Sequence, residues 1–339
     1  MTHKFLWNYY FYSPKSHLDK GFEMRKVKFI ENGSEITAGT RGASLGVASM
    51  KVAANKKQNS FFKYLDYTVL NNENHLLMDP IKHPNAIRVE GLTKVFDYVG
   101  DVVRDTLKNN EFAFVLAGDH GSAGGTIAGV KAAFPNKRLG VIWIDAHGDL
   151  HSPYTSPSGN MHGMPLATAL AMDNQESKVN DISDEEVRLW GDLKNKYGIA
   201  PKISPEDLVF VSVRDTEKPE NELMARNNIK NYEVDEVREK GIGQVIVEID
   251  ERLKDCDMIY VSFDVDSMDP SISAGTGTPV PHGLWKEEAL ELLKSFVVHK
   301  KTVCMEFVEI NPCLDDKGNV MAETAFDILE EVTATLKEE

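Results

Sequence analysis

Short apolar runs alternate with longer amphipathic stretches along most of this chain. Five runs are strand-sized and bounded by polar or turn-forming residues: 112–118 ("FAFVLAG"), 139–146 ("LGVIWIDA"), 208–213 ("LVFVSV"), 258–265 ("MIYVSFDV") and 302–310 ("TVCMEFVEI"). Elsewhere apolar residues recur every three or four positions, the spacing of a helix face. One such series is Leu92, Val95, Phe96, Val99, Val102, Val103 and Leu107. A second is Ala289, Leu290, Leu293, Phe296 and Val297, and a third Ala325, Ile328, Leu329, Val332 and Leu336. Strands that are apolar on both faces and alternate with helices predict a mostly parallel sheet covered on both sides. The expected fold is therefore a single-domain, three-layer α/β/α architecture. No repeat, low-complexity tract or linker interrupts it. The most polar stretch, 173–206, reads as a surface excursion carrying one helix.

One strand leads into an unusual segment. In "VIWIDAHGDLHSPY" (141–154), Asp145, His147, Asp149 and His151 occupy every second position. On an extended chain these side chains share a face. Unpaired charges beside a core strand are costly. A divalent ion such as Mn²⁺ or Zn²⁺ would remove that cost, because carboxylate and imidazole both suit it. A solvated loop with accidental alternation has the same pattern. Parallel sheets bind ligands beyond the carboxyl ends of their strands, and polar residues gather there four times. The groups are Asp119-His120, Asp145 to Asp149, Asp264-Val265-Asp266 with Asp269-Pro270, and Glu309-Ile310-Asn311-Pro312. Four strands bringing carboxylates and imidazoles to one rim favour a metal site over four unrelated loops.

Composition narrows the partners. The 339 residues suffice for one large α/β domain, and 42% hydrophobic with 27% charged residues is an ordinary globular balance. The net charge of −15 argues against nucleic acid or an anionic membrane as the main partner and is compatible with a cationic substrate. Cys256, Cys304 and Cys313 form no Cys-x-x-Cys and read as reduced thiols of a cytosolic protein. The opening "MTHKFLWNYYFYSPK" is aromatic but lacks a continuous apolar signal region, and every apolar run is too short to span a bilayer. A cytoplasmic location is expected.

Four motifs together carry a resemblance: "AGTRGASLG" (38–46), "LAGDHGSAGGT" (116–126), "WIDAHGDLHSP" (143–153) and "SFDVDSMDPSISAGTGTPVPHGL" (262–284). In this order they resemble the ureohydrolase family, which includes arginases and agmatinases. "SPSGNMHGMP" (156–165) and "EFVEINP" (306–312) are similar to its arginase branch. The resemblance implies two Mn²⁺ ions per chain. His120, Asp145, Asp149 and Asp264 would hold the first, and Asp145, His147, Asp264 and Asp266 the second, with Asp145 and Asp264 bridging. It implies hydrolysis of L-arginine to L-ornithine and urea by a hydroxide that bridges the two metals. Agmatine, guanidinobutyrate or formimidoylglutamate is the alternative substrate. A guanidinium is resonance-stabilised and resists neutral water, so lowering the pKa of water with two metals fits the need.

Further roles follow from the same likeness. Glu309 would anchor the guanidinium, and His162 would shuttle a proton to the leaving amine. Asp149 counts among the catalytic residues as well as the ligands. His151, Ser156, Ser158 and Asn160 would contact the α-carboxylate end, and Glu217, with Asp215 beside it, the α-amino group. Thr278 would line the pocket, and Asp269 would hold the turn after the ligands. Several features depart from the family's pattern. His151 stands where arginases usually have Asn, Ala117 and Gly121 alter the Gly-Gly-Asp-His-Ser block, and the segment from His162 to Arg214 is longer than usual. Residues 1–35 have no assignable counterpart and read as an extension of unknown role ahead of a catalytic domain at 36–339. The family's habit implies a homotrimer or homohexamer.

Overall fold

The structure, a computed structural model, describes residues 26–338. Within them, eight strands form a single sheet: β1 (Val27–Asn32), β2 (Asp66–Val69), β3 (Phe112–Ala117), β4 (Leu139–Ile144), β5 (Leu208–Val211), β6 (Lys230–Tyr232), β7 (Met258–Asp264) and β8 (Thr302–Val308). The helices are α1 (Gly46–Lys56), α2 (Val89–Lys108), α3 (Ala123–Ala133), α4 (Pro165–Leu170), α5 (Asp184–Lys194), α6 (Lys218–Arg226), α7 (Val234–Lys240), α8 (Ile242–Arg252), α9 (Lys286–Val297) and α10 (Val320–Glu338). The strand order is β2-β1-β3-β8-β7-β4-β5-β6 and every pairing is parallel. The fold is the three-layer α/β arrangement that the alternation predicts.

Period-two alternation divides each strand between the layers. In β3, Phe112, Phe114 and Leu116 face a core built with α1, α7, α8, α9 and α10. Ala113, Val115 and Ala117 face the opposite core, built with α2, α3, α4 and α6. The aromatic spine of the first core runs across strands, with Phe29 stacked on Phe114 at 5.2 Å and Phe114 tilted against Phe307 at 5.3 Å. In the second layer α2 and α3 approach until backbones touch. A Cβ on Gly129 would lie 2.5 Å from the Gly100 carbonyl oxygen. This close approach seats α3, and the turn that precedes α3 carries His120.

Three expectations shift. Residues 27–32 are a strand, second from the sheet edge and bonded to both β2 and β3. The boundary expected at residue 36 therefore falls earlier, and residues 1–25 of the extension lie outside the described residues. Six residues of mixed polarity, "VKFIEN", hide β1 from a periodicity argument. The strand expected over 208–213 stops at Val211, because Ser212 turns to φ +71° and leaves the extended region. The polar stretch 173–206 carries one α-helix, α5, but it is anchored rather than merely superficial. Leu189, Trp190 and Leu193 pack with Val89, Leu92, Val95 and Phe96 in a third buried cluster. No helix among the described residues is long and apolar enough to cross a membrane.

Candidate active site

β3, β8, β7 and β4 are adjacent in the sheet centre. They all run the same way, so their carboxyl ends open on one edge. His120 follows β3, Glu309 follows β8, Asp264 ends β7 with Asp266 just beyond, and Asp145 follows β4. One pocket at this edge takes in every metal-ligand and substrate residue expected from the sequence, Asp215 included.

The six expected metal ligands gather in two groups. His120 Nδ1 lies 3.0 Å from Asp145 Oδ2, 3.2 Å from Asp149 Oδ2 and 3.2 Å from Asp264 Oδ2. His147 Nδ1 lies 3.0 Å from Asp266 Oδ2 and 3.5 Å from Asp145 Oδ1. Asp145 thus turns one oxygen to each group. Asp264 gives one oxygen to the first, while its other accepts the Asp266 amide at 2.8 Å.

The donor chemistry fits a pair of divalent cations. His120 Nδ1 is buried among three carboxylate oxygens yet makes no hydrogen bond of acceptable geometry with any of them, so these atoms converge on a point rather than on one another. Burial, followed by neighbouring carboxylates, pushes Asp149, Asp264 and Asp266 above the usual carboxylate range. Four buried carboxyls against two imidazoles leave a deficit of positive charge that cations would supply. His120 Nε2 is held by Ser262 Oγ at 2.7 Å, and its ring stacks on Trp143 at 4.1 Å. The Trp143 indole N–H donates to Asp145 Oδ2 at 2.9 Å. Such partners orient ligands before a metal arrives.

The alternating segment does not stay extended, as the shared-face argument supposed. β4 ends at Ile144, and Asp149 adopts φ +50°. That turn sends Asp149 back to the His120 group while His147 reaches the other. Strand geometry alone could not have delivered both.

Beside the ligands, Glu309 Oε1 accepts the His120 amide at 2.9 Å and lies 3.8 Å from His162 Nδ1. Burial first, then the nearby Asp119 charge, pushes the Glu309 carboxyl up to about 8. Burial likewise raises Asp119 to about 6. Its Oδ2 accepts the Thr37 amide at 2.8 Å, and its Oδ1 is buried without a partner. His162 keeps a quarter of its side chain exposed. Burial, then positive charge at His147 and His120, holds its imidazole below the ordinary range. Cations bound at the rim would act on it in the same sense.

The far end of the pocket holds the residues expected to read the substrate head. His151 Nε2 bonds Glu217 Oε2, and its Nδ1 pairs with Thr155 Oγ1 at 3.1 Å. The two groups expected to grip opposite charges of a substrate therefore hold each other. Ser156 Oγ accepts the Gly159 amide at 3.0 Å and Ser158 Oγ the Asn160 amide at 3.2 Å, shaping the loop from within. Gly159 is obligatory there: it sits at φ +74°, and a Cβ would lie 1.9 Å from the Pro84 carbonyl oxygen. Thr278 Oγ1 donates to Asp266 Oδ2 at 3.4 Å. Asp215 is two-thirds exposed, 3.8 Å from His147 Nε2. Asp269 accepts the amides of Ser271, His282 and Gly283, a turn-holding set.

Sequence reasoning missed Glu220 and Arg214. Glu220 is 4% exposed and accepts the Leu150 and Glu217 amides, both at 3.1 Å, tying the ligand loop to the start of α6. The spacing Glu217-Lys218-Pro219-Glu220 was a signal for a helix N-terminus with paired glutamates. Arg214 donates to the carbonyls of Ser212, Asp266, Val280 and Pro281 and joins three loops at the rim. No pattern around it announces that.

Comparison with known proteins agrees with this geometry. The Arginase family profile matches residues 27–334. The arginase of Bacillus subtilis (strain 168) is 34% identical over 297 residues, 86% of this chain and 91% of its own. The crystal structure of Bacillus caldovelox arginase superposes with a TM-score of 0.76 at 30% identity, over 91% of this chain and 98% of its own. That of Entamoeba histolytica arginase in complex with L-ornithine does so with a TM-score of 0.76 at 26% identity, over 92% and 99%. With the profile spanning nearly all of the described residues and the ligand groups assembled at the predicted rim, the chain belongs to the arginase family.

Proposed function

We propose that this chain is a manganese-dependent binuclear hydrolase that cleaves the guanidino C–N bond of L-arginine to L-ornithine and urea. The observation that carries the reading is the division of Asp145 between two ligand groups, each completed by one imidazole and further carboxylates. His120, Asp145, Asp149 and Asp264 would hold one ion, and Asp145, His147, Asp264 and Asp266 the other. Bound there, the ions supply Lewis acidity that brings the pKa of water towards 7. The chain's own groups do the rest. Glu309, a buried carboxyl short of a cation, accepts hydrogen bonds from the guanidinium and ionises as it does so. His162, kept neutral by this setting, relays a proton taken from solvent water to the leaving nitrogen. Ser156, Ser158 and Asn160 face the α-carboxylate and Glu217 the α-ammonium. The relatives' activity and the ornithine-bound relative support the same assignment.

A second reading has one observation in its favour. His151 and Glu217 satisfy each other, so a guanidino substrate without an amino-acid head would disturb nothing there. Urea release with Mn²⁺ across L-arginine, agmatine and guanidinobutyrate decides between the readings. L-arginine is expected to be the best substrate, with two ions per active chain. A faster rate with either of the others would overturn the arginine assignment, and a single ion per active chain would overturn the binuclear scheme.

A further inference from the structure

The segment 173–180, the start of the polar stretch 173–206, touches no expected metal ligand. It lies across the outside of the pocket's head end and bonds to both of its walls. Toward the loop that carries His151, Ser156, Ser158 and Asn160, the Asn180 side-chain amide donates to the carbonyls of Pro153 at 3.0 Å and Ser156 at 2.7 Å. The Val179 and Asn180 backbone amides both donate to the Tyr154 carbonyl, at 2.8 and 3.0 Å. The Asp173 carbonyl accepts from Ser152 Oγ at 2.6 Å. Toward α6, which follows Glu217, the buried Asn174 side-chain amide donates to the Pro219 carbonyl at 2.8 Å, and its oxygen accepts from Arg226 at 2.5 Å. Ser177 Oγ donates to Glu222 Oε2 at 2.7 Å.

We infer that residues 173–180 are a strap that sets the distance between the two walls of the head subsite, with Asn174 and Asn180 as the positioning residues that decide selectivity for the amino-acid end of the substrate. The inference rests on the L-arginine reading above. The walls come from unconnected parts of the chain, one after β4 and one before α6. Near the metal rim the walls are joined by the Ala146 carbonyl, which accepts the Arg214 and Asp215 amides at 2.9 and 3.0 Å, and by Glu220, which accepts the Leu150 amide at 3.1 Å. At the head end their direct contact is His151 with Glu217, and this pair must part to admit a substrate carboxylate and ammonium. Once it parts, the strap still holds the walls from outside. Polar groups that bind a charged head tolerate little misplacement. The metal rim, tied by Trp143, Ser262 and Arg214, does not depend on the strap.

The test is Asn180→Asp, which keeps the shape but has no N–H to give and turns a carboxylate towards two carbonyl oxygens. KM for L-arginine and Ki for L-ornithine, a probe that carries the same head without the guanidinium, are expected to rise together by about tenfold, with kcat within about twofold and metal content unchanged. Should that variant not accumulate folded, Asn174→Gly carries the same expectation. It removes the other clamp while glycine keeps the φ +51° of Asn174 accessible. A wild-type enzyme that prefers L-arginine, with KM and Ki unmoved in the variants, overturns the strap alone. A fall in kcat accompanied by metal loss also overturns it, because that is the mark of a general structural role. A wild-type enzyme that prefers a substrate without the amino-acid head overturns the substrate reading and the strap's selectivity with it.

Discussion

Glu309 and His162 stand 3.8 Å apart, and burial drives both towards neutrality, the carboxyl up to about 8 and the imidazole down. Desolvation disfavours whichever form is charged, so one environment produces opposite shifts on an acid and a base. The consequence is a pocket poised for a cation: Glu309 lacks one, and a neutral His162 adds no positive charge to repel it. Glu309 also holds φ +65°, a left-handed backbone that a non-glycine residue adopts at a cost of order 1–3 kcal/mol. The turn it permits points the carboxyl back to the His120 amide instead of out along β8. His162→Asn keeps the side chain's size and removes the titratable ring. It is expected to lower kcat in a urea-release assay by roughly 10²–10⁴-fold with both metals retained. An unchanged kcat would make His162 a structural residue of its loop.

At the scale of elements, α5 shows how a polar segment is held. Ser183 caps its first turn by accepting the Glu186 amide at 3.2 Å, and Glu186 Oε2 accepts the Ser183 amide at 2.8 Å. At the other end the Lys202 ammonium, 2% exposed, donates to the Lys194 carbonyl at 2.6 Å and approaches those of Leu193 and Thr168. A cation on the last carbonyls of a helix suits its dipole. Burial nevertheless lowers this ammonium to about 8 from an ordinary 10.5. Because the folded value is the lower one, the unfolded chain holds the proton more tightly between those limits. Folded-state stability from this group is therefore depressed below pH 8 and recovers as pH rises from about 8 towards 10.5. Denaturant titrations at pH 7.5 and pH 10 are expected to show wild type gaining roughly 2 kcal/mol on Lys202→Met between them. A difference that does not change with pH would mean that the ammonium is solvated in the folded state.

At the scale of the molecule, the rim joins three central strands through six ligands that belong to distant parts of the sequence. Ions bound there engage only the folded chain, so they stabilise it by mass action. At a free concentration about 100 times Kd the gain is about 2.7 kcal/mol. Chelation is expected to lower the melting temperature by several degrees, and Mn²⁺ to restore it. Calorimetry with and without chelator checks this. A melting temperature indifferent to both would separate the ligand rim from metal binding. The net charge of −15 adds to the case for a cationic ligand, but it is the buried carboxyls rather than the surface total that create the demand.

The alternation of apolar runs and helical series was enough to establish a layered parallel sheet, because both cores read period two in the strands and period 3.6 in α2, α9 and α10. The positions of the ligands at the ends of β3, β4 and β7, and of Glu309 after β8, were also legible, since chemistry at strand ends is local in sequence. What sequence could not decide was adjacency. β3 and β4 are consecutive strands, yet β8 and β7 lie between them. That order brings His120 to Asp145 across 25 residues and to Asp264 across 144. Nor could it decide conformation where the chain breaks its own period, as at Asp149 and Glu309, whose positive φ values are imposed by surrounding contacts rather than by residue type. The pairing of His151 with Glu217 and the strap behind them belong to the same class. Hydrogen bonds between segments far apart in the chain leave no periodicity to read, and they exist only once the sheet has put those segments side by side.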